Sequence, residues 1–301
     1  MDHAISEFWS FWATSAPQLR AAIEAGTLLD WVELIQARVE AIHEGLDWEF
    51  GPGATAEHYF CVSAKGDPDV RVVAERWLAA APPADATFEF YPARPGSGPT
   101  EAILDLGPHR FALADFRYAV SVDGPRERIA ARVYHPGFGA APENTAVMAT
   151  FLGLDGILGE DEVERWLGGV ETVNELPADA VDEVGLVEAV SRLRATATGE
   201  QFTVMRGQLP DGRPVFVTAN LALKRIDHLR MDTHYQVTLP LRSPDAAGLI
   251  GPDEAEALNQ HEDALLKALG TDAVYLGRET GAGARVVHLH GPAGLEPRLE
   301  G

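Results

Sequence analysis

Apolar residues recur at helical spacing near the start of the chain, then switch to alternation. Ile5, Phe8, Trp9, Phe11 and Trp12 form an aromatic stripe close to helical period. Ser15 with Pro17 predicts the start of a second helix and Gly26 its end. Leu28, Trp31, Leu34, Ile35, Val39 and Ile42 predict a third, closing at Gly45. These aromatics read as core, because buried rings dominate core energetics. Leu46, Trp48 and Phe50 then alternate, as do Tyr59, Cys61 and Ser63, with Gly51-Pro52-Gly53 between the two runs. Asp67-Pro68 is a cap followed by a residue suited to a first helical turn, with Val70, Val73, Ala74, Trp77 and Leu78 along one side. Phe88 and Phe90 predict another strand. Phe116, Tyr118, Val120 and Val122 alternate, Asp123-Gly124-Pro125 turns the chain, and Ile129, Ala131 and Val133 return it. Helices are expected over 144–158, 161–167 and 177–197. The last begins acidic and ends basic, as the helix dipole favours.

The C-terminal third carries the most specific pattern. Strands over 201–207 and 214–220 flank Leu209-Pro210-Asp211-Gly212, a strong turn signal. Tyr235, Val237 and Leu239 then face one way and His234, Gln236 and Thr238 the other. Pro252 opens a helix bearing Leu258, Leu265 and Leu269, which Gly270 ends. Val274 and Leu276 precede, and Val286, Val287 and Leu289 follow, the turn Gly281-Ala282-Gly283. Strand, helix, strand and hairpin return make half of a split βαβ, the ferredoxin-like plan. The fold class expected is therefore α+β. A ferredoxin-like C-terminal domain with an antiparallel sheet (181–301) is preceded by an α+β domain with N-terminal helices (1–180).

In that plan the third strand inserts between the first two and runs antiparallel to both. Asp232 and His234 should then approach His288 and His290. Residues two apart on a strand share a face, so the four side chains can converge to hold zinc or another divalent ion. They can equally serve as acid and base, since imidazole titrates near neutrality. The competing reading puts the histidines on the solvent side of a half-exposed sheet, with Leu289 turned to the core. Glu262 falls at the edge of the apolar stripe of its helix, where a carboxylate snorkels out, finds a partner or has a raised pKa, while Asp263 faces outward.

Composition narrows the function classes. With 301 residues, 46% of them hydrophobic, the chain suffices for two domains. A formal charge of -22 and a pI near 4.7 repel nucleic acid and anionic lipid. They favour a basic protein partner. Cys61 is the single cysteine, so neither an intrachain disulfide nor a Cys-x-x-Cys motif exists, and it reads as an inert core residue. The first residues lack a basic region with a following apolar run. The longest apolar stretch, 145–158, is interrupted by Asp155 and too short for a bilayer. A cytoplasmic location is the resulting expectation. No phosphate loop, HExxH, GxSxG or strand-linked GxGxxG is present.

Thr218-Ala219-Asn220-Leu221-Ala222-Leu223-Lys224, Gly248-Leu249-Ile250-Gly251-Pro252, Leu258 with Glu262-Asp263-Ala264-Leu265, and Thr280-Gly281-Ala282-Gly283-Ala284-Arg285 together resemble a bacterial family catalogued as domain of unknown function 695. Phe8-Trp9-Ser10-Phe11-Trp12, Ser63-Ala64-Lys65-Gly66 and Leu158-Gly159-Glu160 resemble longer members. Asn220, Glu262, Asp263 and Arg285 are the polar residues that carry the likeness. The family is similar, at fold level, to the protein inhibitor of ribonuclease E activity. That likeness implies a binding or regulatory role without catalysis or cofactor, and transfers no catalytic residue. Members of that family commonly continue past the last hairpin strand with more helix and strand, whereas this sequence stops at Gly301, so the expected open sheet edge is covered by a strand from elsewhere or by a second subunit in a homodimer. The alternative expectation is a metal-binding protein or enzyme centred on Asp232, His234, His288 and His290.

Overall fold

The computed structural model describes residues 1–299 and is α+β, with helices and largely antiparallel sheets. Two compact units emerge: Met1–Val120 with Ala131–Glu188, and Ser121–Ala130 with Ala189–Gly301. The short excursion 121–130 groups with the second unit.

Unit 1 begins with α1 (Asp2–Ala25), a single helix that runs through Pro17. The expected break at Ser15 does not occur. Ile5, Phe8, Trp12, Leu19 and Ala22 are buried along it on both sides of the proline. That packing outweighs the roughly 3 kcal/mol that an interior proline costs a helix. A 3₁₀ turn over 28–31 leads into α2 (Val32–Ile42). Next come β1 (Asp47–Pro52) and β2 (His58–Ser63), paired antiparallel, and β3 (Phe88–Tyr91), parallel to β2. A parallel pair needs a crossover, supplied here by α3 (Pro68–Ala79), whose cap Asp67 accepts from the amides of Asp69 and Val70. Phe8 stacks on Phe60, and Trp9 stacks on Trp77, in one apolar cluster between helices and sheet.

The rest of unit 1 differs more from the sequence pattern. Two four-residue strands, β4 (Ile103–Leu106) and β5 (His109–Ala112), form a hairpin too short for alternation to reveal. The strands β6 (Arg117–Asp123) and β7 (Arg128–Tyr134) carry the 121–130 excursion at their tip. Helices α4 (Glu143–Leu158) and α5 (Glu160–Trp166) follow, then β8 (Leu167–Val173). Gly168 and Gly169 hide β8 from a propensity reading. The sheet order is β6-β7-β8. The next helix, α6 (Glu183–Thr196), starts six residues later than expected. Val181 exchanges both backbone hydrogen bonds with Tyr118 instead, and the Asp182 carboxylate accepts from the Gly185 amide.

Unit 2 is built on a five-stranded antiparallel sheet ordered β11-β13-β12-β10-β9. Its members are β9 (Phe202–Gln208), β10 (Pro214–Asn220), β11 (Thr233–Pro240), β12 (Val274–Gly281) and β13 (Ala284–Gly291). The helix α7 (Pro252–Leu269) joins β11 to β12, and the short α8 (Glu296–Leu299) follows β13. β13 lies between β11 and β12, antiparallel to both. The β9–β10 hairpin extends the sheet on the β12 side. A ferredoxin-like plan has no such hairpin there. Register shifts between Tyr275 and Gly277. Gly277 has φ +150, and a Cβ there would come within 2.1 Å of the Thr218 carbonyl oxygen, so only glycine fits. Tyr235, Leu269, Val287 and Leu289 form the core on the α7 side.

Candidate functional site

On the other side of the unit 2 sheet, three histidines meet. His234 is register partner to His290, and Gln236 to His288. His234 Nε2 lies 3.1 Å from His288 Nδ1 with the rings stacked, and the His234 and His290 ring centres are 5.6 Å apart. Leu289, between the two β13 histidines, is fully buried on the opposite side. His288 Nε2 is 3.7 Å from Glu279. Burial, then the neighbouring His234, lower the His290 pKa, against a backbone bond at Met231 and the charge of Asp232. Asp232 makes its hydrogen bond with Thr233 instead of with an imidazole. Among the described residues, no group of three or more His, Cys, Asp or Glu side chains is placed to hold a metal ion. The histidine pair can share one proton, since an imidazole donates from one nitrogen and accepts at the other.

Glu262 sits on the opposite side of the sheet, on α7. Its side chain is 4% exposed and accepts from Tyr275 (2.6 Å), Arg278 (2.8 Å) and Arg285 (3.1 Å). Arg285 also donates to Asn259 and Thr280. Burial, and then the like charge of Arg278, push the Arg285 guanidinium down from its usual pKa. This is a closed structural cluster of the kind buried charges require. Asp263 is exposed. Asn220 fixes the end of β10: its Oδ1 accepts from the amides of Gln201 and Ala222, and its Nδ2 donates to the Gly199 carbonyl. Glu127, from the 121–130 tip, accepts from Thr198, Gly199 and Gln201 and lies 3.9 Å from Lys224, both side chains buried. Of the residues singled out from sequence, the structure thus unites the three histidines on one face and Glu262 with Arg285 on the other. Asn220 and Asp263 stand apart from both.

Unit 1 holds a second polar layer that sequence reading missed. Glu49 on β1 accepts from Tyr59 (2.7 Å) and from Arg94 Nε and Nη2 (2.8 and 2.7 Å). Glu160 accepts from the Arg94 amide (3.1 Å) and from the Ser63 hydroxyl (3.3 Å). Asp155, near the end of α4, lies close enough to Glu160 to feel its charge. Burial first, and Glu160 second, push its carboxyl up to about 7, while Arg94 opposes. Burial likewise raises Glu160, against its bonds to Arg94 and Ser63. Cys61 is fully buried beside these groups, its thiol raised chiefly by burial. The one signal in the sequence is an aspartate inside an otherwise apolar helix.

The fold and these clusters define an α+β protein whose C-terminal sheet carries a buried Glu–Arg cluster on one side and a histidine pair on the other. The model of the Family of unknown function (DUF695) matches residues 203–296, from β9 into α8. Asn220, Glu262, Asp263 and Arg285 all fall within that match. No curated protein and no solved structure matches the chain. Among the described residues, no helix is long and apolar enough to cross a membrane.

Proposed function

We propose that this chain works by binding another protein, as a regulatory or inhibitory factor without a reaction of its own, and that its partner is basic. One observation carries the reading. The charge is concentrated: unit 1 has 30 acidic and 10 basic residues, unit 2 has 16 and 14. A charge imbalance of that size on one unit steers a basic partner and rejects acidic ones. The test is affinity capture on the full chain, followed by stoichiometry. A basic protein should be retained near equimolar at about 0.1 M salt and lost at about 1 M, where the screening length falls from ~10 Å to ~3 Å. If no stoichiometric protein is retained at low salt, the reading fails.

A second reading rests on the contact between His234 and His288. It assigns the sheet face with Asp232, His234, His288 and His290 to a divalent metal, or to proton transfer in an enzyme. Zinc added to the untagged protein should then shift the imidazole resonances of His234 and His288 together, and His234→Ala should abolish the shift. Unmoved resonances at millimolar zinc end the metal reading.

A further inference from the structure

Within unit 1, the acidic charge is densest over 155–188, which holds eleven acidic residues and one basic residue, Arg165. This stretch contains β8, an edge strand whose one sheet neighbour among the described residues, in the order β6-β7-β8, is β7. Gly168 and Gly169 on it are exposed. Glycines within a strand mark a place where another backbone can come close. An edge strand presents unpaired amides and carbonyls, a template for an added strand. At the end of β8 lies an open groove of about 420 Å³, lined by Arg132 of β7 and by residues 171–177, the last residues of β8 and the loop after it. That is the lower end of ligand-pocket volumes, sufficient for a side chain or two. Glu171 and Glu175 line the groove and are exposed, and Leu176 beside them is 58% exposed. The cation in the lining, Arg132, is held 3.2 Å from Asp179.

We propose that the free edge of β8 and the groove at its end dock an extended, Lys/Arg-rich segment of the partner protein by strand addition. The inference rests on the protein-binding reading above and gives it an address. Backbone pairing along β8 supplies affinity, and alternate side chains of the added strand supply specificity. Its cationic side chains reach Glu171 and Glu175, and their aliphatic stems cover Leu176, as long basic side chains do on apolar surface. A second copy of this chain is a poor occupant, because it brings the same negative charge to the same edge.

The experiment uses the full chain and a labelled eight-residue peptide of alternating Arg and Thr, titrated at about 0.15 M salt. Glu171→Lys with Glu175→Lys is compared with Glu33→Lys with Glu40→Lys on α2, which changes net charge equally. The β8 pair should weaken peptide binding about tenfold or more, and the α2 pair about twofold or less. The peptide should also slow amide hydrogen exchange at 168–173 in the unaltered protein, a readout that stands even if the β8 variant folds poorly. Equal weakening by both pairs, unchanged exchange along β8, or no peptide binding overturns the proposal. If a basic partner is still captured from lysate in that case, only the β8 address is lost. If none is captured, the protein-binding reading falls as well.

Discussion

Glu262→Ala is expected to destabilise unit 2 by about 3–5 kcal/mol, the cost of breaking a buried ion pair from one side. The loss of attraction is the smaller part. Arg285, with its side chain 6% exposed, would keep its charge with only Asn259 and Thr280 as neutral partners. Tyr275 would lose the acceptor 2.6 Å from its hydroxyl. Stabilities of ordinary domains are about 5–15 kcal/mol, so this one change removes a large share. Glu262→Gln retains an acceptor and should cost less, about 1–3 kcal/mol. Changing Glu262 and Arg285 together to methionine should cost less than the two single changes combined, because no charge is then stranded. Urea denaturation followed by far-ultraviolet circular dichroism measures all of these. An unchanged midpoint for Glu262→Ala would show that the cluster contributes nothing to folding.

Asp155→Asn is expected to act in the opposite direction. With its folded pKa pushed to about 7 from an ordinary 3.8, the carboxyl is retained in protonated form by the folded state. Its favourable contribution is therefore complete below pH 3.8. It is lost progressively as pH rises towards 7, and above that the folded state carries an ionised group in a site that resists ionisation. The full shift corresponds to about 4 kcal/mol; residual solvent contact brings the expected gain from Asn at pH 8 to about 2–3 kcal/mol. Near pH 4 the gain should vanish, since the aspartate is then protonated when folded. Melting curves of the two proteins across this range decide it. A gap between them that is the same at pH 4 and pH 8 would rule the titration out.

How far the sequence reveals the molecule differs by region, for physical reasons. Unit 2 is well legible, because its strands run seven or eight residues and two of them, β11 and β13, alternate cleanly. Its turns are made by Asp211-Gly212 and Gly281-Ala282-Gly283. The approach of His234 to His288 follows from topology alone, once one strand is inserted between two others. The partners of Glu262 were not legible: an acid at the edge of an apolar stripe can find a partner, but sequence does not say that Tyr275, Arg278 and Arg285 all reach it. In unit 1, α1 continues past Pro17 because packing on both sides outweighs a local signal. β4, β5 and β8 are too short or too glycine-rich to register. Asp155 and Glu160 are five residues apart, but Glu49, Ser63 and Arg94 join them only through tertiary contact. Net charge was legible at once; its concentration on one unit needed only the boundary near 188, because the excursion 121–130 carries two acidic and two basic residues and is neutral.

That excursion also sets an order of events in folding. Glu127 bonds the amides of Thr198 and Gly199, 71 and 72 positions further along. On a ribosome, the β6–β7 tip is made well before the strands it will serve and must wait while residues 131–198 emerge. Loop closure over such a distance adds only slowly to the entropic cost, growing as the logarithm of length. The penalty falls on rate instead, since distant contacts form late. A fragment starting at residue 189 would lack Glu127, leaving Lys224 without that counter-charge. The stretch 203–296 that matches the family model therefore leaves out Glu127, the residue that binds the Thr198 and Gly199 amides and faces Lys224.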